Sequence, residues 1–209
     1  MRLWRAVPLV LVGLVAAGCT SGGGSSSSTP SPSGSAGASG SAQAGTPTPS
    51  AAAALPTGCE SLLPFTDLDQ ALGRPLFGES SFIKGVAQPS IGRIGRVTCR
   101  YGLARGGRGV APIEVGVSTY KDAESATRRI EQTVAAARGQ GSTQGQATVS
   151  GVPATLLGAR EAVTLVLAQG SRTVAVTLQR TLAPSLGRGI NLNHAVTSVT
   201  ERVLANLEM

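Results

Sequence analysis

Ala162-Val163-Thr164-Leu165-Val166-Leu167-Ala168, then Gln169-Gly170-Ser171, then Arg172-Thr173-Val174-Ala175-Val176-Thr177-Leu178-Gln179, is the stretch on which the fold turns. Val163, Leu165 and Leu167 recur at every second position, as do Val174, Val176 and Leu178. Each run therefore gathers apolar side chains on one face of a strand. The Gln169-Gly170-Ser171 link is too short for a crossover, so the two strands form a tight antiparallel hairpin.

Upstream of this hairpin, strand signals fall at Gln146 to Ser150 and, after Pro153, at Ala154 to Gly158. A polar loop, Gly139 to Gly145, separates them from a helix over Asp122 to Arg138. There Ala123, Ala126, Ile130, Val134 and Ala137 keep helical spacing, Glu124 and Arg128 make an i,i+4 pair, and Gly139 is the expected stop. Further upstream lies a second hairpin. Val97, Cys99 and Tyr101 alternate against Arg96, Thr98 and Arg100. Arg105 to Gly109 is a flexible turn, and Ile113, Val115, Val117 and Thr119 mark the return strand.

Gly73 to Gly95 is punctuated by glycine and has no clear period, so it reads as a long connection with one short strand near Ser81 to Ile83. Long connections in compact domains often carry function, which makes it a candidate binding edge. Before it, Thr66 is the expected N-cap of a short helix bearing Leu68 and Leu72 and ending at Gly73. After the central hairpin, Leu182 to Ile190 is a loop, and Asn193 is the expected cap of a last helix with Val196, Val199, Val203 and Leu207 inward. The expected fold is α+β, a two-layer sandwich in which an antiparallel sheet of about five or six strands has its helices on one face.

The N-terminal part is of another kind. Arg2 and Arg5 precede an apolar run, Ala6 to Ala17, of about a dozen residues, short of the roughly 20 that span a bilayer. It reads as a secretory leader. The run closes on Val15-Ala16-Ala17-Gly18-Cys19, which resembles the bacterial lipoprotein signal, with Ala16 where leucine is usual. Residues 1–18 are then a signal peptide, and Cys19 is the lipidation site that partners the bilayer. Two acyl chains on that cysteine give stable anchoring where one would bind reversibly.

From Thr20 to Gly58 the chain is almost wholly Ser, Gly, Ala, Pro and Thr, without a charged residue. Such a segment cannot bury enough apolar surface to offset backbone ordering, and it reads as a disordered tether with an end-to-end distance of roughly 35 Å. The folded domain is expected over residues 59–209.

With Cys19 lipidated, Cys59 and Cys99 remain as an even pair, expected to form a disulfide in an oxidising compartment. A metal centre is not expected, because the chain has one histidine, His194, and no Cys-x-x-Cys. No cofactor is implied. The 18 Lys and Arg against 11 Asp and Glu give a formal charge of +7, and without Arg2 and Arg5 the balance is about +5. These charges are interspersed, with no aromatic interleaving, so nucleic acid is not an expected partner.

Motifs for chemistry are few. Ser118-Thr119-Tyr120-Lys121 matches the S-x-x-K of penicillin-recognising enzymes, but the partner motifs are missing and Ser118 falls in a strand. There is no Gly-x-Ser-x-Gly elbow and no P-loop. His194 sits at a helix start among polar residues, and Asp67 and Asp69 read as helix-dipole partners. Arg96 and Arg100 share the polar face of one strand, where they are either solvated or set to grip an anion.

Cys59-Glu60-Ser61-Leu62-Leu63, followed after a glycine-rich interval by Cys99-Arg100-Tyr101, resembles the actinobacterial lipoproteins grouped as domain of unknown function 3558. Those carry a Cys-x-x-Leu-Leu start and a Cys-Arg-Trp or similar centre, with Tyr101 here in the tryptophan position. The resemblance implies a surface lipoprotein and supplies no activity. The expected function is a membrane-anchored, monomeric, non-catalytic binding or interaction module of the cell envelope, with an envelope protein, lipid or wall polymer as partner. The alternatives are a wall-polymer enzyme, which would need converging groups among Glu114, Asp122, Glu131 and Glu161, and a sensor subunit of a membrane protein.

Overall fold

The computed structural model describes residues 54–208. Cys19, the leader and most of the tether lie outside the described residues. The domain is built on one open sheet of seven strands, all antiparallel, in the order β1-β2-β3-β7-β6-β5-β4. The strands are β1 (Glu79–Gly85), β2 (Arg93–Leu103), β3 (Ile113–Tyr120), β4 (Thr143–Val149), β5 (Val152–Gly158), β6 (Ala162–Gln169) and β7 (Arg172–Gln179). The helices are α1 (Cys59–Leu62), α2 (Phe65–Leu72), α3 (Ala123–Gly139) and α4 (Leu192–Glu208). No described helix is long and apolar enough to cross a membrane.

The count exceeds the expected five or six strands because β1 is a full seven-residue strand inside the glycine-punctuated connection. It is an edge strand, paired on one side only, so it lacks the alternating burial that marks an inner strand. The central hairpin forms as read, with Gln169 opposite Arg172 and Gly170 at φ +56.

The expectation that all helices share one face is corrected. Val163, Leu165 and Leu167 of β6, Val174, Val176 and Leu178 of β7, and Val97, Cys99 and Tyr101 of β2 join one core with Leu62, Leu68 and Leu72 and with Val196, Val199 and Val203 of α4. Helix α3 packs on β3, β5, β6 and β7 from the other side, over Val166, Thr173 and Ala175. The reason lies in β6: Val166 is 1% exposed and Leu165 fully buried, so this strand is apolar on both faces and both need cover. The sheet is thus flanked on two sides, thickly by α1, α2 and α4 and thinly by α3, whose buried residues are only Ser125 and Ala126.

Three boundaries also shift. Helix α2 starts at Phe65 with Pro64 at its cap, so Thr66 lies inside it. Asn191, two residues before Asn193, caps α4, its Oδ1 accepting from His194 N at 2.9 Å. Gly139 ends α3 from within, and Gln140 closes it. Asp69 Oδ1 accepts from Leu76 N at 2.8 Å, and Asp67 accepts from Asn206 Nδ2 at 3.1 Å, so both carboxylates tie segments together.

Cys59 and Cys99 are joined by a disulfide, with Cα atoms 5.5 Å apart across a sequence separation of 40. It fastens α1 to the middle of β2 inside the core. Packing begins ahead of Cys59, with Leu55 against the core. The guanidinium of Arg172 donates to Leu207 O at 3.0 Å and to Ala54 O at 3.3 Å, holding the end of α4 and the start of the domain together.

Candidate anion-binding cleft

The face of the sheet that carries α3 is only partly covered, and a cleft opens where β2 and β3 emerge from under the helix. Its floor is strand surface. Arg96 stands opposite Ser118, and Arg93 opposite Tyr120. In a regular strand two residues three apart point to opposite faces. Here a bulge between Arg93 and Gly95 inserts one extra residue, so Arg93 and Arg96 come to the same face. The guanidinium of Arg96 lies across Gly116, where an added Cβ would be 3.7 Å from Nη2, so the missing side chain leaves room for it. Arg129 enters from α3, and Thr133 and Thr173 add hydroxyls from the helix and from β7.

The result is a cavity of about 140 Å³ lined by three arginines and several hydroxyls, with no carboxylate in its lining. All three arginines are partly buried. The ion pairs among the described residues are Lys121–Asp122, Arg128–Glu124 and Arg160–Glu161, and none includes Arg93, Arg96 or Arg129. Arg93 donates through Nη2 to Val86 O at 3.4 Å, while its buried Nε has no protein acceptor. Partly burying cations without counter-charge costs free energy, and the positive potential it leaves is what an anion would meet.

A second hollow of about 150 Å³ adjoins the first and shares Arg129. Its other cations are already answered, Arg128 by Glu124 and Lys121 by Asp122 at 3.7 Å. Asp122 Oδ1 also accepts from Ser125 N at 2.6 Å as the cap of α3. The hydrogen bonds from Ser125, and after them the nearby Lys121 and Arg128 charges, hold its carboxyl below the ordinary value. The first cavity is therefore the stronger candidate.

The residues singled out from sequence fall unevenly around this site. Arg96 lines it; Arg100, its partner on the strand, turns away and donates to Gly109 O at 2.7 Å, closing the loop between β2 and β3. Ser118 is inside β3 on the cleft floor, while Lys121 belongs to the adjoining hollow, so the S-x-x-K pair is not set at a helix start. His194 is exposed in the first turn of α4. Glu114, Asp122, Glu131 and Glu161 stand on four different parts of the fold: β3, the cap of α3, the exposed side of α3, and the turn before β6. Gly73 to Gly95 supplies the exposed edge strand β1, and Arg93, just before Gly95, reaches the cleft. No group of three or more metal-ligating side chains occurs among the described residues.

Sequence reasoning missed Arg93 and Arg129. The first is hidden by the bulge, and the second comes from a helix placed on the unexpected face.

No family model matches the chain, and no curated protein matches it. Among solved structures it is similar to the extracellular domain of PknH from Mycobacterium tuberculosis, at 10% identity over 72% of this chain and 95% of that one, with a TM-score of 0.44.

Proposed function

We propose that the chain is a non-catalytic binding module of the bacterial cell envelope, anchored through a lipid on Cys19 to the outer face of the cytoplasmic membrane, monomeric, and of the actinobacterial lipoprotein type described above. The leader and the small-residue run before Cys19 support export and anchoring. The Cys59–Cys99 disulfide suits an oxidising compartment. The observation that carries the binding role is the cleft: three partly buried arginines face one cavity that no carboxylate lines. No cofactor enters this reading.

The test has two arms. Membrane fractionation of wild type and Cys19→Ala, with intact mass, should show the wild type in the membrane and heavier by a lipid, and the variant released. Native mass spectrometry of the extracted wild type should show a retained ligand. A Cys19→Ala chain that stays membrane-bound with unchanged processing would overturn the anchoring; a ligand-free protein that captures no envelope component would overturn the binding role.

A further inference from the structure

We infer that the cleft between β2, β3 and α3 is a phosphoryl-binding site, in which Arg93, Arg96 and Arg129 hold the terminal oxygens of a phosphate ester. This rests on the binding role proposed above and adds the chemistry of what is bound.

The argument is one of donors and charge. Each guanidinium is a rigid fork of N–H donors that pairs oxyanions two bonds at a time. Three such forks, with hydroxyls from Ser118 and Thr173 beside them, offer more donors than the two oxygens of a carboxylate can accept. A phosphate monoester presents three terminal oxygens and a charge of about −1.5 to −2 at neutral pH, which answers both the donor count and the unpaired cations. The cavity, about 140 Å³, suits a compact group, and its open mouth leaves the remainder of a larger molecule outside.

The placement is also specific within a basic domain. Arg128 and Lys121 have carboxylates close by, and Arg100 is spent on a backbone carbonyl. None of the three cleft arginines has a carboxylate partner among the described residues, and Arg93 alone touches a backbone carbonyl, that of Val86, at a long 3.4 Å. Arg93 is brought there by the β2 bulge, a device that re-aims a side chain. A solvated basic face would need neither the bulge nor the partial burial.

The monoester has two sources with this one chemistry, the headgroup of phosphatidic acid or a soluble phosphorylated compound. The experiment uses the full chain extracted in detergent, titrated calorimetrically with inorganic phosphate, glycerol 3-phosphate and acetate. Arg96→Gln and Arg129→Gln are the test variants, and Arg100→Gln is the control with the same change of charge. Phosphate and its ester should bind, and acetate roughly tenfold or more weaker. Each cleft variant should lose about tenfold or more in affinity, and Arg100→Gln little.

Equal weakening by all three variants, or equal affinity for acetate and phosphate, would overturn the proposal and leave only net charge. Wild-type melting temperature in the cleft variants keeps a loss of binding distinct from a loss of fold. Vesicles with phosphatidic acid against phosphatidylglycerol, offered to Cys19→Ala, assign the source: Arg129-dependent binding to the former supports the headgroup, and its absence beside intact ester binding supports the soluble compound. Release of inorganic phosphate from the ester would sink the non-catalytic reading while leaving the phosphoryl site standing.

Discussion

The phenolic oxygen of Tyr101 donates to the backbone carbonyl of Cys59 at 3.1 Å, so the residue two places beyond Cys99 on β2 grips the same residue that Cys99 holds covalently. Tyr101 is fully buried, and Phe65 meets its ring edge-on with centroids 5.8 Å apart. Burial, with a smaller effect from Glu60, pushes the hydroxyl well above its ordinary value of 10.0. The stability that goes with keeping this phenol neutral is whole below pH 10 and declines above it as the unfolded chain ionises first. Replacing Cys59 and Cys99 by serine should cost about 4 kcal/mol by chain entropy. Tyr101→Phe should cost about 1 kcal/mol, the loss of one buried hydrogen bond to a carbonyl that still accepts from Leu63 N at 2.8 Å. Urea unfolding of the two variants and their combination checks this; additive losses would show that the two ties act independently.

Gly187 and Gly73 form a backbone contact that no side chain can enter. Gly187 N donates to Leu72 O at 2.9 Å, and a Cβ on Gly187 would stand 2.9 Å from Gly73 O. Gly187→Ala must therefore push the segment before α4 away from the end of α2, at a cost of about 1–3 kcal/mol. An unchanged denaturation midpoint would contradict this.

Acid should loosen α3 before the rest of the domain. The Asp122 carboxyl is held below its ordinary value of 3.8, chiefly by Ser125. Its contribution to stability is present above that value and is lost as pH falls through the lower folded one. Protection factors at Ser125 and Ala126, with the intrinsic pH dependence of exchange removed, should fall on acidification below about pH 4, and Asp122→Asn should blunt the change. An identical acid response in the variant would assign the loss to other carboxylates.

The turn between β4 and β5 carries a small strain that is easily removed. Ser150 has φ +48 and Gly151 φ +80, a pair of positive values that a two-residue hairpin of this hand requires. Serine is poorly suited to that region, and Ser150→Asn should raise stability by about 0.5–1 kcal/mol. A lower melting temperature would show that the serine hydroxyl has a role of its own.

Periodicity was the reliable guide where a strand or helix has one wet face. The β6–β7 hairpin and the β2–β3 pair follow from alternation alone, because their core-facing side chains all meet one core. It gave only a short strand near Ser81 to Ile83 where β1, whose outer edge is free, runs from Glu79 to Gly85, and it misled over α3. Nothing in Ala126, Ile130 and Val134 says which side of a sheet they will meet; the sign is in β6, whose run from Leu165 to Leu167 is continuously apolar. Caps were legible only to within two residues, since Asn191 and Asn193 are chemically equal candidates and only the folded turn selects one. The cleft was half legible. Arg96 and Arg100 stood out by spacing, yet a bulge and a helix face decided that the arginines facing one another are Arg93, Arg96 and Arg129.

Arg172 has a consequence for engineering. Because one guanidinium spans Ala54 and Leu207, the two ends of the domain meet at a single point on its surface. A short linker could join them and new termini be opened at Ser150-Gly151, giving a circular permutant with the same strand order. By the same geometry the domain is a ready cassette for insertion into a surface loop of a host protein, entering and leaving through one gate.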